Sequence, residues 1–143
     1  MLESVTVTPT TPTREQIVRL EKLLLQGPTI EIPPKHYFAD GLYAREITIP
    51  AGVVLTGKIH RTEHINVVSK GCITVWTEEG MKKLSAPSTF VSSPGTKRAG
   101  YAHEETVWTT FHSSPFNERD LVRLEETFIV PENNQLEGSP CLG

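Results

Sequence analysis

Cysteine is scarce in this chain. The two that occur, Cys72 and Cys141, stand far apart in unlike surroundings, so neither a disulfide scaffold nor a paired-cysteine zinc site has residues to build on. Cys72 sits in an apolar run and reads as a small buried residue, whereas Cys141 falls in a loose tail. Two free thiols fit assembly in a reducing compartment. Basic charge is also short. Fourteen Lys and Arg against 17 Asp and Glu give a formal net charge of -3, the wrong sign for a nucleic-acid surface. No apolar run approaches the roughly 20 residues that a membrane-spanning helix needs. The opening MLESVTVTPTTPT lacks the basic-then-apolar pattern of a signal peptide. There is no Gly-rich phosphate loop, Walker-type sequence or Ser nucleophile elbow.

What remains is an ordinary globular composition, 37% hydrophobic and 22% charged over 143 residues, enough for one domain with a real core. Residues 1–12 form a Thr/Pro-rich extended arm. Over 13–27 the spacing predicts a helix: Thr13 and Gln16 make a capping box, Ile17, Leu20 and Leu24 line one face, and Gly27-Pro28 stops it. Pro33-Pro34 confine the stretch from Ile30 to Tyr37 to a sheet edge or a loop.

From Gly41 the pattern is all-β. Short runs recur at Leu42 to Ile49, Val53 to His60, His64 to Val68, Cys72 to Thr77, Thr89 to Ser92 and Thr106 to His112. Turn signals at Pro50-Ala51-Gly52, Gly71, Glu78-Glu79-Gly80 and Pro94-Gly95 divide them. Regular short strands without intervening helices predict a sandwich or barrel. Asn117 is placed to cap a short helix reaching Glu126, Phe128-Ile129-Val130 reads as a last strand, and 131–143 is a polar tail.

Within the strands, Gly52 to Gly71 reads GVVLTGKIHRTEHINVVSKG. Its frame resembles the first motif of the cupin family: a Gly, a His-any-His pair, a Glu and a closing Gly. Gly71 is the closing Gly, His60 the second His, and His64 stands at the Glu position. Lys58 occupies the first His position. The later run Ser92-Ser93-Pro94-Gly95-Thr96-Lys97-Arg98 is similar to the second motif, with Arg98 where its His belongs. Over Gly41 to Val130 the chain also resembles small cupin-like proteins predicted from tailed-phage genomes. The resemblance implies a cupin-like double-stranded β-helix (jelly roll), residues 41–130, flanked by an N-terminal and a short C-terminal helix.

Two of the four ligand positions have become cations. Arg has no lone pair to offer, and a non-haem metal needs neutral imidazoles with a carboxylate. The expectation is therefore no metal and no cofactor, and a candidate anion pocket of Lys58, His60, His64 and Arg98. Recruiting His103, or Glu63 beside His64, is the alternative, giving a divalent transition metal on His60, His64 and His103; either requires a bulge, since neighbouring residues on a strand point to opposite faces.

Strand parity pulls against any lumenal site. Val53, Leu55, Ile59, Ile65, Val67, Ile73 and Val75 share odd parity, while Lys58, His60, His64, Asn66 and Thr74 share even parity. With one wet face, the odd set fills the core and His60 and His64 face solvent, unless the barrel lumen is polar and a partner covers the apolar face. The sequence accordingly reads as a non-enzymatic structural or binding protein: a virion accessory subunit decorating a capsid surface, acting through its arms, with the virion as its location. It is expected to form a homo-oligomer, a dimer with the N-terminal helix or arm in the interface, and to engage neither nucleic acid nor membrane. The alternatives are a metal-dependent cupin enzyme (dioxygenase or isomerase) and a small-anion-binding cupin, either of them cytoplasmic.

Overall fold

The computed structural model describes residues 11–27 and 30–131, so most of the expected arm, nearly all of the tail, and Cys141 lie outside the described residues. Thr13 caps α1 (Arg14–Gln26) through both halves of the capping box. Its hydroxyl accepts from the Gln16 amide at 3.1 Å, and its own amide donates to Gln16 Oε1 at 2.9 Å. The face that α1 buries is rotated from the expected stripe. Ile17, Val18 and Glu21 are buried, whereas Leu20 and Leu24 are only half-buried. The reason is a buried ion pair: Lys97 Nζ meets Glu21 Oε2 at 2.7 Å with both side chains wholly enclosed, and the Thr56 hydroxyl donates to the same oxygen at 2.5 Å. A helix that places a carboxylate there must turn that side inward, since an ammonium so enclosed needs a partner.

Among the described residues the chain then forms β1 (Lys35–Ala39), β2 (Leu42–Ile49), β3 (Val54–Thr56), β4 (His64–Lys70), β5 (Cys72–Thr77), β6 (Gly80–Ser85), β7 (Ser88–Ser92), β8 (Ala99–Ala102) and β9 (Thr106–Ser113), followed by α2 (Leu121–Phe128). All pairings are antiparallel. They build one sheet in the order β1-β2-β9-β4-β7 and a second in the order β3-β8-β5-β6, which gives the expected jelly roll. β1 is an edge strand, as the two prolines before it require. Ile49, Val68, Ile73, Val75, Leu84, Ala102 and Trp108 close the core between the sheets. No helix among the described residues is long and apolar enough to cross a membrane.

Four local expectations need correction. β6 and β8 were not anticipated; Lys82-Lys83 and Ala99-Gly100 are residue types depleted in strands, and cross-strand pairing with β5 overrides that. The Val53 to His60 run is strand only over Val54–Thr56. Asp120, not Asn117, caps α2, through Val122 and Arg123; Asn117 instead takes a positive φ of 52° and accepts from the Gly41 amide at 2.7 Å. Phe128 ends α2, and only Ile129 pairs as a strand, in a single bridge to His60.

The expected parity fails at Lys58 and His60, which lie beyond the end of β3 at Thr56, and in β4, where the reason is visible. β4 bulges between Val68 and Lys70 where it pairs with β9, and the chain then turns through Gly71 at φ 90°. A bulge adds one residue, so the inward parity on one side is the outward parity on the other. In β5, Ile73 and Val75 line the interior as expected, but in β4 it is His64, Asn66 and Val68 that are buried, with Ile65 47% exposed. His64 is therefore inside the barrel. Gly71 cannot be replaced cheaply: a Cβ there would lie 2.2 Å from the Glu105 carbonyl oxygen.

Candidate ligand site in the barrel lumen

The inward side chains of the five-stranded sheet follow from its register. His36, Arg45, Thr110, Asn66 and Phe90 form one row across the five strands; Phe38, Tyr43 and His112 lie in the next, and His64 stands opposite Ser92. The second sheet contributes Leu55, Ile73 and Val75, and α2 closes the remaining side with Leu124, Glu125 and Phe128. Together they surround a cavity of about 350 Å³, of the size that takes a small organic molecule.

All four residues of the expected anion pocket line this one cavity. They do not play equal parts. Lys58 Nζ pairs with Glu125 of α2, so its charge is answered at the rim. Arg98 has no carboxylate partner among the described residues. Its guanidinium lies 5.7 Å from the centroids of both Phe90 and Trp108, and Nη2 donates to the Ser92 hydroxyl. Ser92 is held in turn by Asn66, which donates to it at 2.8 Å and accepts from Trp108 Nε1 at 3.0 Å. Burial lowers the Arg98 pKa, yet a guanidinium starts so high that it stays charged at neutral pH.

Three imidazoles meet beside it. Ring centroids of His60, His64 and His112 are separated by 4.4, 5.2 and 5.1 Å, and His112 also stacks on Phe128 at 4.5 Å. Desolvation, then the neighbouring imidazoles, pushes His60 down to about 3. Desolvation, then His64 and Arg45, pushes His112 down to about 4, and desolvation leads the lowering at His64. At neutral pH the trio is uncharged. The site therefore carries its positive charge on Arg98 and on Arg45, beside imidazoles that act as hydrogen-bonding groups.

Arg45 and His112 were not anticipated. Arg45 sits in an alternating strand whose inward parity is identifiable only once the β2–β9 register is known, and His112 lies at a strand end outside both family motifs. The alternative metal set is not brought together. His103 is exposed, bonds the Thr74 hydroxyl at 2.6 Å and stacks edge-on to Tyr101, outside the cavity lining. Glu63 is exposed and outside the lining as well. Among the described residues, no three His, Cys, Asp or Glu side chains are arranged to hold a metal ion. The carboxylate of the lining, Glu125, is already paired with Lys58, and the lining includes arginines that oppose a divalent charge, so the donor set does not fit a non-haem metal centre.

No protein-family model matches the chain, and no curated protein does. Solved structures do. KdgF from Halomonas sp. is 25% identical with a TM-score of 0.50, over 65% of this chain and 86% of that one. An RmlC-like cupin from Shewanella frigidimarina is 19% identical with a TM-score of 0.51, over 63% and 86%. Salicylate 1,2-dioxygenase from Pseudoaminobacter salicylatoxidans, described with gentisate adducts, is 14% identical with a TM-score of 0.54, over 80% of this chain and 33% of the dioxygenase. The chain thus has the cupin-like jelly roll, a fold that serves enzymes such as that dioxygenase and that assigns no chemistry by itself.

Proposed function

We propose that this protein binds a small organic anion in the barrel lumen, with Arg98 as the anchor. One observation carries the reading. Among the described residues, three buried side-chain nitrogens have no hydrogen-bond partner, Arg98 Nε, His64 Nε2 and His112 Nδ1, and all three belong to residues lining this one cavity. An unpaired buried polar atom costs about 1–3 kcal/mol, and a charged one more, so three at one site mark a place built for a ligand. Ile47, Ile49, Leu55, Ile73 and Val75 line the rest of the cavity and suit a carbon skeleton. In this reading the site takes its anion without a metal.

The test is a titration of purified protein with phenylacetate and with the isosteric neutral phenylacetamide. Phenylacetate should bind and the amide should not. Arg98→Leu should weaken phenylacetate by about 10- to 150-fold, the worth of a hydrogen bond to a charged group. Equal binding of acid and amide, or an Arg98→Leu variant that binds the acid normally, overturns the reading.

A second reading, an assembly subunit, is favoured by one feature of the outer surface. Tyr37, Ala44, Phe111, Ile65 and Val91 stand in register straight across all five strands, facing outward, with Tyr37 49%, Phe111 37%, Ile65 47% and Val91 60% exposed. The α1 residues Ile17 and Val18 are already buried within their own chain, so this row offers a second copy a broader apolar surface than the helix, where Leu23 is exposed. The neighbouring row carries Lys35 opposite Glu46, a pair that a two-fold axis can set against its own image. The virion-decorating role expected from the terminal arms rests on residues beyond those described.

A further inference from the structure

We infer that the anion bound in the lumen is a hydroxycarboxylate, its carboxylate on Arg98 and its hydroxyl donating to His64. This rests on the lumenal anion reading and goes further, because it fixes what must stand next to the charge.

The step begins from the tautomer of His64. Its Nδ1 lies 3.0 Å from the Thr62 carbonyl oxygen. A carbonyl only accepts, so Nδ1 carries the proton and Nε2 is a lone pair. His64 Nε2 is buried and has no partner, and Arg98 Nε is buried and has none either. The two nitrogens therefore ask for opposite things: Arg98 needs an acceptor and His64 needs a donor. They flank a single residue, since His64 stands directly opposite Ser92 in the β4–β7 register and the Ser92 hydroxyl accepts from Arg98. Directly opposed side chains in such a pair have Cβ atoms roughly 4.5–5.5 Å apart.

A plain carboxylate satisfies only half of this. Its oxygens suit the guanidinium, but against His64 Nε2 they set lone pair to lone pair. Burial, and then the Arg98 charge, oppose a second proton on the ring, so His64 favours a donor over a second acceptor. An inorganic anion without a proton fails in the same way and leaves the apolar lining uncovered. A hydroxyl one or two carbons from the carboxylate supplies the missing donor. The carbon skeleton then lies against Ile47, Ile49, Leu55, Ile73 and Val75. A site whose buried polar group is left unpaired by the deoxy analogue discriminates far more strongly than an apolar pocket judging size.

The experiment is calorimetric titration of the full chain with two matched sets: mandelate, phenylacetate and 1-phenylethane-1,2-diol; then 2-hydroxy-4-methylpentanoate and 4-methylpentanoate. In at least one set, the hydroxycarboxylate should bind ten-fold or more tighter than its deoxy partner, and the diol should not bind. His64→Phe should bring hydroxy and deoxy acids to equal affinity, while Arg98→Leu weakens both. Hydroxy and deoxy acids of equal affinity in the native protein, both lost in Arg98→Leu, leave the anion reading standing and overturn the hydroxyl requirement. The native-protein comparison does not depend on the His64 variant folding. No carboxylate binding at millimolar concentration, or a diol that binds as well as mandelate, overturns both. Stoichiometric zinc or iron(II) binding that His64→Phe abolishes assigns the lone pair to a metal and overturns the inference.

Discussion

On its lumenal face the five-stranded sheet carries His36, Tyr43, Arg45, His64, Asn66 and His112; one residue along in the same strands, its outer face carries Tyr37, Ala44, Ile65 and Phe111. A sheet with one wet face ordinarily puts its apolar set inside and its polar set outside. Here histidines and an arginine face in beside Ile47, Ile49, Val68 and Trp108, and an apolar row faces out beside Lys35 and Glu46. The second sheet keeps the ordinary arrangement, with Ile73 and Val75 inward. One barrel wall is therefore apolar inside, and the other sets a polar patch beside its own core residues Ile49, Val68 and Trp108. A buried polar wall is tolerable only where its groups are bonded, and the unbonded ones, Arg98 Nε, His64 Nε2 and His112 Nδ1, stand around the cavity. In the reading proposed above, what distinguishes the two walls is a ligand site.

The largest expected effect falls on the turn that sets the two walls out of phase. Gly71→Ala forces an L side chain into φ 90° with its Cβ 2.2 Å from Glu105 O and 2.8 Å from Thr106 Cα. Left-handed strain of about 1–2 kcal/mol adds to overpacking of about 1–3 kcal/mol. Chemical denaturation should therefore show a loss of about 2–5 kcal/mol. A loss below about 1 kcal/mol would mean that the turn relaxes freely and does not hold the two parities apart.

Next come paired substitutions one residue apart on β4. Asn66→Leu removes the acceptor of Trp108 Nε1 and the donor to Ser92, both buried, and should cost about 1–3 kcal/mol. Ile65→Thr, on the outer face of the same strand, should fall within about 0.5 kcal/mol in the monomer. Equal costs would show that the faces are not as unlike as their burial indicates.

The imidazoles sharpen the comparison through pH. His60 at about 3 and His112 at about 4 lie below the 6.5 of a free imidazole, so the unfolded chain binds protons that the folded chain refuses. Their contribution is intact above about pH 6.5 and declines as pH falls toward 3–4, by up to about 1.4 kcal/mol per pH unit for each imidazole. The melting temperature should be level from pH 9 to 7 and fall between 6.5 and 5, before most carboxylates titrate. His112→Phe, which keeps a ring against Phe128, should make that fall shallower. A variant curve parallel to the native one would remove His112 from the titrating set.

Much of this molecule was legible in its sequence. Thr13 and Gln16 set the helix start, Pro33-Pro34 the edge, and the turn glycines most strand boundaries, because each is a local constraint on the backbone. The pocket residues Lys58, His60, His64 and Arg98 were legible only through spacing that resembles a family motif. Periodicity alone placed His60 and His64 outside: it carried β3 past its end at Thr56 to His60, and for His64 it counted through a bulge that no residue type announces. Arg45, His112 and the Lys97–Glu21 pair stayed hidden because each depends on which strand or helix lies opposite, a long-range fact. Asp120 displaced Asn117 as the helix cap because Asn117 was already engaged with Gly41 and Asp40.

The smallest effect on folding is expected on the outer row, where the effect on assembly should be largest. Ile65 and Val91 stand opposite one another on β4 and β7, are 47% and 60% exposed, and lie outside the buried core clusters. Replacing both with Lys removes little buried area and adds charge that water already reaches, so the monomer should keep its stability within about 0.5 kcal/mol. If a second copy covers the row, the same two lysines meet their images across a two-fold axis, and each charge is counted twice at the interface. Sedimentation at micromolar concentration should then give a dimer for the native chain and a monomer for Ile65→Lys/Val91→Lys, while phenylacetate binding in the lumen is unchanged. A native monomer under those conditions would remove the second copy as occupant. A dimer that persists in the variant would place the interface elsewhere, with the terminal arm as the next segment to delete. Loss of lumenal binding in the variant would show instead that the two faces of this sheet are coupled.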